Sequence, residues 1–277
     1  MSYQFHIPPI NQLSFNQQHA YGFPLDEREC LLITGCPGSG KTTVANFRAS
    51  ALQQEQRTFQ YIIYARVLHA YVRQSFSDPA LDIAPEKVAT FGSWFYGEYK
   101  ENVMAGPRKI IPEVLARHFA RSTVRYNEMI LDEGQDLDPR VIQGLPQVCT
   151  SLTICADDAQ NVFDGDENEP NSCEGMRTAL EAQGLTVHPI HLGVNYRNTP
   201  EIYAFAKAFV PHNPAATVTQ FIKAPGQRPA LLKCSNTASM LQKIENIITN
   251  RGSENIGILC DYQSQITAIS RHLEQKG

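Results

Sequence analysis

The sequence predicts an α/β fold, a parallel β-sheet with helices packed on both of its faces. Three observations predict it. Short apolar runs alternate with longer amphipathic stretches along the 277 residues. The runs are apolar at consecutive positions, as in strands buried on both faces, where a half-wet strand would alternate. The composition, 42% hydrophobic and 19% charged, is that of a chain able to bury a core and unlike that of a disordered one.

In chain order, strands are expected at 30–34, 61–64, 129–131, 152–155, 230–233 and 256–259. Helical stretches are expected at 41–56, 66–76, 138–148, 199–210, 238–250 and 262–275. This alternation is the pattern of βαβ units. Segments 76–87 and 164–174 carry prolines among polar residues and read as surface loops. A boundary near 195 divides the chain into 1–195 and 196–277.

Lys plus Arg number 24 against 28 Asp plus Glu, a net charge of -4, which excludes a histone-like binder but leaves room for a local basic groove. Seven cysteines without a C-x-x-C pair argue against a zinc site or a disulfide framework and for reduced thiols in a cytoplasmic protein. Neither a signal peptide nor an apolar run long enough to span a membrane is visible.

The strongest motif is Gly35-Cys36-Pro37-Gly38-Ser39-Gly40-Lys41-Thr42, which fits G-x-x-x-x-G-K-[ST] between a strand and a helix. Glycines let the backbone turn its N–H groups toward phosphate oxygens, and the helix N-terminus adds positive potential. Gly35, Pro37, Gly38, Ser39, Gly40, Lys41, Thr42 and Thr43 are therefore expected around a nucleotide. Lys41 is expected to reach the β/γ phosphates, and Thr42 to hold Mg²⁺. A second signal is the strand end Asn127-Glu128-Met129-Ile130-Leu131-Asp132-Glu133. Asp132 suits a Mg²⁺ ligand opposite Thr42, and Glu133 suits a base for the attacking water.

The run Asp132-Glu133-Gly134-Gln135-Asp136 resembles the D-E-x-Q-D signature of superfamily 1 DNA helicases of the UvrD/Rep type, and the guanine-reading N-K-x-D motif of GTPases does not occur. Further motifs follow in that family's order. Leu13-Ser14-Phe15-Asn16-Gln17-Gln18-His19-Ala20 resembles L-N-x-x-Q-x-x-A, so Gln17, or Gln18 in the other register, is implied to read adenine. Thr90-Phe91-Gly92-Ser93 resembles the T-F-H-S segment that contacts single-stranded DNA, with Gly in place of His. Tyr64-Ala65-Arg66 occupies the place of another DNA-contacting motif, or is a plain strand-to-helix turn. Ala156-Asp157-Asp158-Ala159-Gln160-Asn161-Val162-Phe163 resembles G-D-x-x-Q-S-I-Y. By that likeness Gln160 senses the γ-phosphate and Phe163 stacks on a base, unless Phe163 packs in the core. Leu192-Gly193-Val194-Asn195-Tyr196-Arg197 resembles L-x-x-N-Y-R, in which Arg197 is the arginine finger and Tyr196 lies near the base.

The resemblance implies a P-loop NTPase with one RecA-like domain over 1–195 and part of a second over 196–277. It implies ATP and Mg²⁺ as cofactors, and single-stranded or partly duplex DNA as partner. The implied activity is ATP hydrolysis coupled to movement on DNA, with repair or defence proteins as further partners. The alternative is a nucleotide-gated module without unwinding of its own. Two departures stand out. The insertion at 94–131 is short and carries Arg108, Lys109, Arg117, Arg121 and Arg125, either a DNA-facing helix or a solvated face. The family's later motifs do not occur before Gly277, so the chain looks short for the machine that its motifs describe.

Overall fold

The computed structural model describes residues 7–64, 66–76, 78–106, 109–160, 172–209, 218–252, 256–260 and 262–275. Its elements in chain order begin with α1 (Phe15–Tyr21), β1 (Glu29–Gly35), α2 (Lys41–Gln54), β2 (Phe59–Ile63) and α3 (Arg66–Ser75). There follow β3 (Val88–Thr90), α4 (Phe91–Tyr99), the hairpin β4 (Met104–Gly106) and β5 (Lys109–Ile110), α5 (Pro112–Phe119) and β6 (Tyr126–Asp132). Then come α6 (Pro139–Gly144), β7 (Cys149–Ala156), α7 (Cys173–Ala182), β8 (Thr186–Leu192), β9 (Val194–Asn195) and α8 (Pro200–Lys207). The last are β10 (Gln220–Phe221), α9 (Thr237–Arg251) and α10 (Gln263–Glu274).

Six strands form one parallel sheet in the order β3-β2-β6-β7-β1-β8. Successive residues of each strand enter opposite cores, as the two-residue side-chain period requires. Cys30 and Leu32 join Met129, Leu131, Leu152 and Ile154 under α4–α7. Leu31 and Ile33 join Ile130, Tyr61 and Ile63 under α1–α3. This is the predicted α/β sheet with helices on both faces, and its strand ends share one edge. In sheets of this kind ligands bind along the carboxyl ends of the strands.

The second core is closed by a buried ion pair. Arg48 on α2 meets Glu128 on β6 with Nε and Nη2, the latter at 3.0 Å, and Thr153 Oγ1 of β7 donates to Glu128 at 2.7 Å. Arg48 Nη1 also donates to Phe23 O at 2.8 Å, which ties the segment after α1 to the sheet.

Several elements differ from the sequence expectation. Residues 230–233 and 256–259 belong to no strand, and Leu231 and Leu259 are 86% and 99% exposed. An apolar run becomes a strand only beside a partner that supplies N–H and C=O groups. The described residues around these runs supply α9 and α10 instead. Conversely, β8 is a strand that the sequence hides, because its Pro189 and two histidines break the apolar pattern. A proline is tolerated there because β8 is the sheet's edge. The 138–148 helix is shorter than expected: α6 ends at Gly144, and a 3₁₀ turn, Leu145–Gln147, with Pro146 at its centre follows. Segment 164–174 lies outside the described residues up to 171, and from Cys173 it is already α7, capped by Ser172.

By its contacts the chain forms two compact units, Met1–Gln227 and Arg228–Gly277. The motif-based division falls at 195, where β9 pairs with β10 inside the first unit. In the second unit α10 meets α9 through His272 Nε2 and Glu245 Oε2, 3.2 Å apart. All seven cysteines are free. Among the described residues no helix is long and apolar enough to cross a membrane.

Removing one partner of the Arg48–Glu128 pair leaves a buried charge alone. Arg48→Ala is expected to cost about 3–5 kcal/mol of stability, read from urea unfolding curves against the unmodified chain.

Candidate functional site

The phosphate loop connects the end of β1 to the first turn of α2. Gly38 and Gly40 have φ of 89° and 88°, a region that L side chains rarely adopt. The space is closed as well. A Cβ on Gly38 would lie 2.7 Å from Arg197 Cβ, and one on Gly40 would lie 2.4 Å from Gln17 Nε2. Gly40 is the N-cap of α2 and supplies no side-chain cap, so the first-turn amides of this helix face the loop.

Lys41 is buried and folded into the loop. Its Nζ donates to Gly35 O at 2.7 Å and lies 3.4 Å from both Cys36 O and Asp157 Oδ2. Asp157, just beyond β7, also accepts from Gln160 Nε2 at 2.7 Å. Gln135 bridges to the neighbouring strand end. Its Nε2 donates to Glu133 Oε2 at 2.7 Å, and its Oε1 accepts from Asp157 N at 3.1 Å. Glu133 itself stands at φ 57°, ψ 50°, a left-handed conformation that costs a non-glycine residue about 1 kcal/mol or more.

Asp132 is fully buried. Burial first, and the neighbouring Glu133 carboxylate second, push its pKa up to about 6, against the pull of the Thr42 hydroxyl, Lys41 and the Tyr61 hydroxyl. Tyr61 OH donates to Asp132 Oδ2 at 3.2 Å. Asp132 Oδ1 has no hydrogen-bond partner among the described residues. A buried carboxylate oxygen left open beside a threonine hydroxyl fits a divalent cation. No cluster of three His, Cys, Asp or Glu that could hold one stands among the described residues; Asp132 and Thr42 are the residues that would hold it, with phosphate and water able to supply further oxygens.

The L-x-x-N-Y-R segment closes the other side of the loop. Asn195 Nδ2 and Asn198 Nδ2 donate to Pro37 O at 3.1 and 3.2 Å, and Tyr196 N donates to Gly38 O at 2.9 Å. Arg197 is exposed beside the loop. Thus Lys41, Asp132, Glu133, Gln160, Tyr196 and Arg197 all stand on this part of the first unit. Gln17 reaches it too, through Ser39 O at 3.0 Å. Thr43 is the third residue of α2, and its side chain is half-buried.

Tyr64, Thr90 and Phe91 lie elsewhere along the same sheet edge and line a cleft of about 920 Å³ with Tyr96, Asn102 and Asp138. Thr90 caps α4 through Ser93 N, while Phe91 is mostly core. Gly92 packs against the hairpin: a Cβ there would lie 3.0 Å from Met104 Cγ, so the histidine of T-F-H-S would fit only if the Met104 side chain gave way. Phe163 lies outside the described residues, as does Arg108. Within the basic run at 94–131, Arg117 is ion-paired with Glu101 and Arg125 with Glu98. Tyr61, Asp157 and Asn195 were given no role by the sequence. Asn195 and Asp157 lie inside quoted motifs and were findable there, whereas a tyrosine within an apolar strand carries no signal.

A phosphate loop at the end of a parallel strand, with acidic residues ending the next two strands in the sheet, defines a P-loop NTPase of the RecA-like kind. Residues 28–276 match the Schlafen group 3, DNA/RNA helicase domain, and the chain belongs to that family. The motifs and the family agree on a helicase-type module; the narrower UvrD/Rep likeness rests on the motifs alone. No curated protein is similar enough to count as a match. Solved structures with distant similarity include the PRRSV helicase, at 14% identity and TM-score 0.40, covering 78% of this chain and 40% of that one. The Hef helicase domain of Pyrococcus furiosus has 13% identity and TM-score 0.41, covering 95% of this chain and 57% of that one. Pif1 of Bacteroides sp, in complex with ADP-AlF4, has 12% identity and TM-score 0.38, covering 69% of this chain and 44% of that one. The chain thus spans about half, or less, of these proteins' lengths.

Tyr61→Phe removes a donor that orients Asp132. It is expected to weaken Mg²⁺-dependent nucleotide binding about tenfold, the low end for outer-shell substitutions, as read by Mg²⁺ titration with a fluorescent nucleotide. Protons and cation compete for the same carboxylate, so Mg²⁺ affinity is expected to fall as pH drops below about 6. Asp132→Asn should reduce that pH dependence to the part set by the nucleotide's own terminal phosphate, whose pKa is also about 6.

Proposed function

We propose that the chain is the ATP-binding and ATP-hydrolysing part of a helicase-type motor, similar to the UvrD/Rep type, that couples turnover to movement on single-stranded DNA. One observation carries the coupling. A single segment leaves β6 with Asp132 and Glu133 at the nucleotide loop and continues as Asp136, Leu137 and Asp138 along the cleft wall. A shift of a few tenths of an ångström at one end is felt at the other, because the turn between them is short and its Gly134 is packed against Ile154.

The roles follow from the contacts. The first-turn amides of α2 and Lys41 hold the triphosphate. Thr42 and Asp132 are the residues that hold Mg²⁺, which when bound neutralises charge on the phosphate oxygens. Glu133, fixed by Gln135, orients and deprotonates the attacking water. Gln160 and Lys41 share Asp157 Oδ2, so a phosphate that draws Lys41 away leaves that oxygen to Gln160 and changes how it is held. Arg197 stands beside the loop, exposed, with its Cβ against Gly38, and is the residue assigned to charge that develops during transfer. Thr90, Tyr64 and the exposed Tyr96 offer polar and aromatic contacts to a strand in the cleft.

The test is ATP turnover by the protein carrying this chain, with and without single-stranded oligonucleotide. At low salt, DNA is expected to raise turnover, and the gain should shrink as salt rises. Turnover indifferent to DNA and RNA at low salt would leave only the nucleotide-gated module. Arg197→Ala is expected to lower kcat about a hundredfold or more with a near-normal KM. Unchanged turnover in that variant would point to a P-loop ATPase of another class.

A further inference from the structure

The residue implied to read adenine is already committed. Gln17 is 4% exposed. Its Nε2 donates to Ser39 O of the phosphate loop at 3.0 Å, and its Oε1 accepts from Ser14 N at 2.9 Å. The second bond is half of a capping box that starts α1, completed by Gln17 N donating to Ser14 Oγ at 3.3 Å. The amide also fills the space where a Gly40 side chain would stand, so the loop and this side chain are fitted to each other. Gln18, the other register, donates to Leu13 O at 2.8 Å from an exposed position.

Reading a base edge takes a donor and an acceptor presented together on an open face. Gln17 has spent one of each, and what is left of its amide is buried. Three further donors reach the backbone of the loop. Asn195, Asn198 and the Tyr196 amide all donate to loop carbonyls.

We infer that Gln17 is a positioning residue that braces the phosphate loop, and that the site selects its nucleotide by the triphosphate with little discrimination among bases. Purine and pyrimidine triphosphates are then substrates of one class. This rests on the nucleotide reading above and deepens it.

Binding of ATP, GTP, CTP and inorganic tripolyphosphate, each with Mg²⁺, is measured on the full chain by competition with a fluorescent nucleotide. ATP and GTP are expected to agree within about threefold, below the discrimination that one dedicated hydrogen-bond pair supplies. Gln17→Ala is expected to weaken ATP, GTP and tripolyphosphate by a common factor of about ten, the scale of one lost buried hydrogen bond. Ser14→Ala, which loosens only the far end of the amide, should give a smaller loss shared by all three. A base reader behaves otherwise. ATP bound tenfold or more tighter than GTP, or a Gln17→Ala loss confined to ATP with tripolyphosphate unmoved, overturns the inference. If Gln17→Ala does not unfold cooperatively, the ATP-to-GTP ratio of the unmodified chain decides. Failure of every triphosphate, tripolyphosphate included, to bind would sink the phosphate-loop reading itself, a result distinct from an ATP preference.

Discussion

Three successive carbonyls of the phosphate loop are tied outward. Pro37 O accepts from Asn195 and Asn198, Gly38 O from the Tyr196 amide, and Ser39 O from Gln17. A trans peptide is planar, so fixing a carbonyl on one side turns the next residue's N–H to the other. The amides of Gly38 and Gly40 are thereby directed away from these partners. Ser39 N closes the turn on Cys36 O at 3.1 Å. The loop therefore owes its shape less to its own glycines than to donors from two distant segments, 14–18 and 195–198. Glycine makes the conformation permissible, and the clamps make it the one adopted.

That constraint explains why the rest of the edge is polar yet ordered. Asp157 holds Lys41 and Gln160, and Gln135 holds Glu133 and the Asp157 amide. These paired groups meet the condition for a buried network to rigidify rather than destabilise. Asp132 Oδ1 and, in the loop itself, Ser39 Oγ find no partner among the described residues, and the open carboxylate oxygen is costly while it stays so. The raised pKa of Asp132 is the electrostatic form of the same cost, since burial favours its neutral state. A cation at this oxygen removes both penalties together.

How much of this could be read from the sequence depends on whether the partners are neighbours in the chain. The phosphate loop and the Asp132–Glu133 strand end are contiguous, so their residue types and the flanking apolar runs announced them. The sheet was legible for β1, β2, β6 and β7, whose buried residues are consecutive. It failed at β8, where an edge position admits Pro189, and at 230–233 and 256–259, where apolar character came without a pairing partner. Tyr61 to Asp132, Arg48 to Glu128 and Gln17 to Ser39 join residues 22 to 80 positions apart. Residue type alone cannot tell such a tie from ordinary packing. For Gln17 the motif marked the right residue, but which atoms it had left to offer was a property of the fold.

The charge balance, first an argument about what the chain is not, ends as an argument about how its cleft must work. A basic run at 94–131 looked like a candidate track, but Arg117 and Arg125 are paired with Glu101 and Glu98, and the cleft wall itself carries Asp136 and Asp138. Asp138 is in turn paired with Arg140 at 2.7 Å, so the charges along this wall are largely compensated from within the fold. Under the proposed function, a single strand laid in this cleft would find Tyr96, Tyr64 and Thr90 for its bases. Stacking and side-chain hydrogen bonds then supply more of the contact than charge does. In such a groove, net charge says little about affinity. What matters for the proposed coupling is whether the segment from Asp132 to Asp138 carries a change at its nucleotide side through to its cleft side.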